Sequence, residues 1–113
     1  MPMIDSKITV PVSEEKKDIL KAEFGKAISV LGKSESYLML GFEDNYSLYF
    51  GGKKLEKGAF VSVQLLGEVN PKDSEKMTAK ICEILEKELG IPGDKVYITY
   101  SGFKNWGWNG GNF

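Results

Sequence analysis

The sequence predicts an α/β fold: duplicated β-α-β units sharing a four-stranded sheet, with two helices on one face. Three observations lead there. Two stretches repeat apolar residues at helical spacing, and both close on Leu-Gly, at Leu31-Gly32 and Leu89-Gly90, 58 residues apart. An apolar or β-branched run stands before and after each stretch, as a β-α-β unit requires. Each following run then leads into Gly-Phe, at Gly41-Phe42 and Gly102-Phe103. The chain, residues 1–113, has the length of one domain.

The elements follow in order. Residues 4–10 are expected as a strand, because Ile4, Ile8, Thr9 and Val10 are β-branched, and Pro11 ends it. Ser13 suits an N-cap, and Glu14 and Glu15 suit the first helical turn. Leu20, Phe24, Ala27, Ile28 and Leu31 then form one apolar stripe, which Gly32 stops. Residues 37–42 are expected as a second strand. Glu43-Asp44-Asn45 should turn the chain into a short returning strand at 47–50, giving a hairpin that Gly51-Gly52 breaks. Residues 59–66 are apolar at nearly every position, which predicts a strand covered on both faces. Asn70 as N-cap and Pro71 at the first helical position open the second helix. Its stripe is Met77, Ile81, Ile84, Leu85 and Leu89, and Gly90 closes it. Residues 95–100 are expected as a further strand, and the Gly-, Asn- and Trp-rich tail, 101–113, as a turn with one short strand. With both helices on one face, the other face of the sheet needs cover. Association of subunits supplies it most simply.

Composition removes several function classes. The chain has no histidine, which eliminates Ser-His-Asp and Cys-His catalysis and the commonest zinc ligand. Cys82 is the single cysteine, so neither an internal disulfide nor a cysteine-rich metal site can form. Neither metal nor cofactor is expected. A net charge of -1, from 15 basic and 16 acidic residues, gives no footprint for nucleic acid. No apolar run approaches the ~20 residues that span a bilayer, so no membrane insertion is expected. The opening Met1-Pro2-Met3-Ile4-Asp5 turns polar too early for a signal peptide. A cytoplasmic protein is expected; secretion would have to follow an unconventional route.

Several segments together carry a resemblance. They are Met1-Pro2-Met3, Leu31-Gly32-Lys33 followed by Tyr37, Phe50-Gly51-Gly52, Asp94-Lys95-Val96-Tyr97-Ile98, and Trp106-Gly107-Trp108-Asn109-Gly110. Nearly end to end, the chain resembles the macrophage migration inhibitory factor family of the tautomerase superfamily. The resemblance implies a homotrimer of β-α-β-β-α-β subunits. It also implies keto–enol tautomerase activity toward small keto acids such as phenylpyruvate, and in animals a cytokine role. The alternative reading is therefore a signalling protein whose surface engages a cell-surface receptor and whose cleft is vestigial or secondary.

Each candidate residue has a plainer reading beside its functional one. Pro2 becomes N-terminal once Met1 is removed, and its secondary amine, moved from about pKa 7.7–8.0 into an apolar cleft, would be a neutral base near pH 7. Proline at this position also simply permits methionine removal. Lys33 stands against a helix C-terminus, where a cation is favoured on its own account. By resemblance it binds a substrate carboxylate or a developing enolate. Leu66 matches the family position whose backbone N–H faces the substrate, although Leu65-Leu66-Gly67-Glu68 departs from the family's Ser-Ile-Gly-Gly and brings in an anion. Tyr97 and Thr99 match positions that line the cleft from the neighbouring subunit, Thr99 in place of asparagine; otherwise they are ordinary strand residues. Tyr37, Trp106, Trp108 and Phe113 are aromatic walls by resemblance and core residues by composition. Cys82 reads as a small buried hydrophobe. The Cys-x-x-Cys pair of some family members is replaced by Gly58-Ala59-Phe60-Val61, so no thiol–disulfide activity is expected.

Overall fold

The computed structural model describes residues 1–113. Four strands form the main sheet: β1 (Pro2–Ile8), β2 (Met39–Glu43), β5 (Ala59–Leu66) and β6 (Val96–Phe103). Two helices, α1 (Glu14–Ala27) and α2 (Pro71–Leu89), pack on one face of it. The order across the sheet is β2-β1-β5-β6, with β1 parallel to β2, β1 antiparallel to β5 and β5 parallel to β6. Two small hairpins stand apart from it: β3 (Tyr49–Phe50) with β4 (Lys53–Lys54), and β7 (Gly107–Trp108) with β8 (Gly111–Asn112).

The two-residue alternation of the strands decides where the core sits. Ile4 and Ile8 of β1 and Val61, Val63 and Leu65 of β5 point into the helix layer. There they meet Leu20, Phe24 and Ile28 from the first helical segment and Met77, Ile81 and Leu85 from α2, all essentially inaccessible to water. Ser6 shares this layer and is fully buried without a hydrogen-bond partner. Both helices are capped as expected: the Ser13 hydroxyl accepts the Lys16 N–H, and the Asn70 side chain accepts those of Lys72 and Asp73.

Several expected details change. β1 begins at Pro2 rather than residue 4, because Pro2 pairs with Leu65 and proline is tolerated at the first position of a strand. It ends early because the Thr9 hydroxyl turns away to Glu56 and Gly58. Residues 28–31 tighten into a 3-10 turn instead of continuing α1. Tyr37 lies in another such turn, capped by the Ser34 hydroxyl, so β2 starts only at Met39.

The expected hairpin at 37–50 does not form. β2 pairs in parallel with β1, and the chain after it is held to β1's end by the Tyr46 N–H on the Ile8 carbonyl and by the Val12 N–H on the Asp44 carboxylate. The hairpin lies instead at Gly51-Gly52, whose φ values of 59° and 81° suit a two-residue type I′ turn. Within the subunit only one face of β5 is covered. Its apolar run is interrupted by Ser62 and Gln64 on the side away from the helices, and Gln64 is exposed. The tail carries two short strands rather than one, joined at Asn109 (φ 51°) and Gly110 (φ 82°).

Candidate active site

The start of β1 lies between the end of β5 and the beginning of β2. Pro2 faces the helix layer and is buried, whereas Met3 faces the open side of the sheet, where Met39 is its partner on β2. Around this corner is a cavity of about 540 Å³. Its walls are mostly apolar and include Pro2, Met3, Tyr37, Met39, Trp108 and Phe113.

Three aromatic rings hold one another in that wall. Trp108 stacks on Phe113 with centroids 5.4 Å apart, and Tyr37 meets both edge-on, at 5.8 and 6.1 Å. Tyr37 is 52% exposed, Trp108 55% and Phe113 47%, which makes them an open wall rather than core. The β7–β8 turn brings Trp108 back beside Phe113, and the Phe113 N–H on the Trp106 carbonyl (3.0 Å) fixes the tail.

At the polar end of the corner the geometry converges on one residue. The Lys33 ammonium donates to the Leu66 carbonyl at 3.0 Å, and the Leu66 N–H donates to the Met1 carbonyl at 3.0 Å. Gly32, in the left-handed conformation at φ 71°, turns the chain out of the preceding helical segment and directs Lys33 toward the end of β5. The Pro2 nitrogen is an amide in this chain, and the free amine belongs to Met1. Burial lowers the proton affinity of that amine below the ordinary α-amino range, and the Lys33 charge lowers it further.

Pro2, Tyr37, Trp108 and Phe113 line the cavity, and Lys33 and Leu66 reach its edge through the hydrogen bonds that run from Lys33 to Leu66 and from Leu66 to Met1. Tyr97 and Thr99 lie elsewhere. Tyr97 is 63% exposed on the open face of β6, where its ring lies 5.2 Å from that of Phe50, with the Lys95 ammonium 5.2 Å over the other ring. Thr99 stands in a polar row across the same face, in register with Ser62, which in turn pairs with Asp5. Sequence reasoning missed Met3, Met39 and Phe50. Strand alternation could have put both methionines on the open face, but only the β1–β2 register places them side by side.

Cys82 is partly buried on α2, and burial followed by the Glu86 charge pushes its thiol up, away from the reactive thiolate. The Tyr100 phenol is raised chiefly by burial, against the opposing effect of its 2.8 Å hydrogen bond with Thr78.

A duplicated β-α-β sheet with this corner at the start of β1 is the tautomerase-superfamily fold. The family profile described as Macrophage migration inhibitory factor (MIF) matches residues 1–113, and the chain belongs to that family. It is 30% identical to the macrophage migration inhibitory factor homolog of Trichuris trichiura over 115 aligned positions, covering all of both chains. Among solved structures it resembles Leishmania major MIF2, with a TM-score of 0.92 and 34% identity, over 100% of this chain and 97% of that one. It also resembles the macrophage migration inhibitory factor-like protein of Entamoeba histolytica, with a TM-score of 0.88 and 27% identity, over 99% and 98%.

Proposed function

We propose that the chain is a cofactor-independent keto–enol tautomerase acting on phenylpyruvate-type keto acids, with the Pro2 amine as general base after Met1 is removed. The observation that carries this reading is the bond from the Leu66 N–H to the Met1 carbonyl, 3.0 Å long, beside the Lys33 ammonium. A carbonyl oxygen already occupies the donor that a substrate oxygen would need. Loss of Met1 frees that N–H and exposes a secondary amine in the same step.

The amine then moves from Met1 to Pro2, which is buried. Burial there disfavours the charged form of an amine. The neutral amine takes a proton from the carbon α to the keto group, and delivery of that proton to the keto oxygen gives the enol and restores the amine. Lys33 pairs with the carboxylate, the Leu66 N–H carries the developing oxyanion, and Tyr37, Trp108 and Phe113 enclose the aryl group. The base form is the active one, so activity falls as pH drops and the amine takes up a proton.

By resemblance Tyr97 and Thr99 line the cleft from a neighbouring subunit, so this reading requires a homotrimer in which each cleft is shared. Sedimentation should then give three times the 12.6 kDa subunit mass. A monomer at micromolar concentration would remove Tyr97 and Thr99 from the site.

The chemical test compares protein lacking Met1 with a form that retains it. Only the processed form should turn over phenylpyruvate, by about 10²–10⁴-fold over the retained form. Pro2→Gly should lose most of the activity, because the primary amine that remains is not held by the ring. Equal rates with and without Met1 would exclude Pro2 as base and favour the receptor-binding reading.

A further inference from the structure

Lys33 is anchored by a backbone carbonyl, so its position depends on whatever fixes Leu66. Leu66 is the last residue of β5, and the chain turns immediately afterwards at Gly67. Gly67 has φ +101°, a conformation that side-chain-bearing residues rarely adopt. Its N–H donates to the Phe103 carbonyl at 2.8 Å, which ties the turn to the end of β6. Its own carbonyl lies directly over Gly102. A Cβ added to Gly102 would collide with the Gly67 oxygen and would also lie 3.3 Å from the Gly67 carbonyl carbon and 3.4 Å from the Glu68 Cα. All three are backbone atoms, so no change of rotamer could relieve the contact.

Gly41, which precedes Phe42 in the first half as Gly102 precedes Phe103 in the second, is different. A Cβ there would meet the Asp5 carboxylate at 3.2 Å and the Met3 methyl at 3.3 Å, both ends of side chains that can swing away. Only the second glycine is locked against backbone.

We propose that Gly102 is a positioning residue for the candidate active site: the missing side chain lets the Gly67 turn cross close over β6, and this sets the Leu66 backbone that holds Lys33. The inference rests on the roles given above to Lys33 and Leu66. A side chain at 102 displaces the 66–68 turn, and with it both the carbonyl that anchors Lys33 and the N–H offered to the substrate oxygen. Pro2 lies on β1 opposite Leu65, one residue before the displaced segment, so the base is disturbed less than Lys33 or the Leu66 N–H.

The experiment uses full-length processed protein and three variants: Gly102→Ala, Gly67→Ala and, as a control, Gly93→Ala. At Gly93 the nearest atom to an added Cβ is the Cys82 Cβ at 3.8 Å, an ordinary contact. Gly67→Ala has open space around its Cβ and disturbs the same turn through φ alone, so it decides the matter if Gly102→Ala does not fold. Two readouts are taken: kcat and KM for phenylpyruvate, and the acylation rate of Lys33 by an amine-reactive ester, followed by peptide mass spectrometry.

Gly102→Ala and Gly67→Ala should raise KM about tenfold through the displaced Lys33 and also lower kcat severalfold, because the Leu66 N–H that carries the developing oxyanion moves with the turn. Lys33 should be acylated several-fold faster in both, and Gly93→Ala should match the parent. A folded Gly102→Ala with parental KM and parental Lys33 labelling overturns the proposal. So does a fall in kcat with KM and Lys33 labelling both parental, which is the mark of a merely smaller folded fraction. If the parent itself has no tautomerase activity, the functional reading fails, while the Lys33 labelling still tests the positioning role.

Discussion

The two halves of the molecule turn out of their helices in the same way and then part. Gly32 closes the first helical segment at φ 71°, ψ 22°, and Gly90 closes α2 at φ 69°, ψ 22°. The following residue leaves the turn in each case. In the first half it is Lys33, half-buried, which reaches the Leu66 carbonyl at 3.0 Å. In the second it is Ile91, completely buried in the core. Duplicated backbone has thus been given two uses at equivalent points: one half keeps an apolar plug, and the other carries a cation to the end of β5. The same scaffold can serve stability or chemistry, depending on the single side chain that follows the cap.

Substituting these two residues should separate the uses most sharply. Ile91→Ala removes buried methylenes where neighbours cannot fully collapse, and should cost about 2–5 kcal/mol in urea unfolding at fixed protein concentration. Its KM for phenylpyruvate should stay near the parental value in folded protein. Lys33→Ala removes one hydrogen bond to a partly exposed carbonyl and should cost about 1 kcal/mol or less. Its KM should nevertheless rise more than its kcat falls, provided the carboxylate contact is equally strong in ground and transition states. Comparable stability losses in the two variants, or a KM change only in Ile91→Ala, would erase the contrast between the halves.

The helices, their caps and the strands of the sheet are legible in the sequence because each reports a local period or a local hydrogen bond. Ser13, Asn70 and the Leu-Gly ends do their work within a few residues. The hairpin at Gly51-Gly52 was missed for the opposite reason. Two consecutive glycines were read as a break, whereas positive φ at both makes them a tight two-residue loop, with Phe50 opposite Lys53. The second face of β5 is a different matter, because an apolar run does not say which face finds a partner within the subunit and which in an assembly. The site shows the same division. Pro2, Lys33, Tyr37, Trp108 and Phe113 came from resemblance, since no periodicity links residues so far apart in the chain. Lys33 and Leu66 are 33 residues apart and meet only because β5 ends where the first helical segment turns. Gly102 enters the sequence reading only as part of a repeated Gly-Phe, because the need for a missing side chain is visible only once Gly67 lies over it.

A finer separation comes from the caps themselves. Gly32→Ala and Gly90→Ala each place a Cβ in the left-handed region, which should cost about 1–2 kcal/mol apiece. Space is not the obstacle. Nothing lies within 4 Å of a Cβ at Gly32, and at Gly90 only the mobile Lys57 ammonium does, at 3.5 Å. The penalty is therefore one of backbone conformation, and asparagine, which tolerates the left-handed region better, should recover part of it at both positions. If the caps are equivalent, the two alanine variants should lose similar stability. They should still differ in catalysis. A relaxed turn at 32 shifts the residue that carries the ammonium and should raise KM by a few-fold, whereas a relaxed turn at 90 shifts only Ile91 and should leave KM alone. Paired urea unfolding and steady-state kinetics on Gly32→Ala, Gly32→Asn, Gly90→Ala and Gly90→Asn would measure this. A KM increase in the Gly90 variants equal to that in the Gly32 variants would mean that the closure of the first helical segment has no special bearing on Lys33.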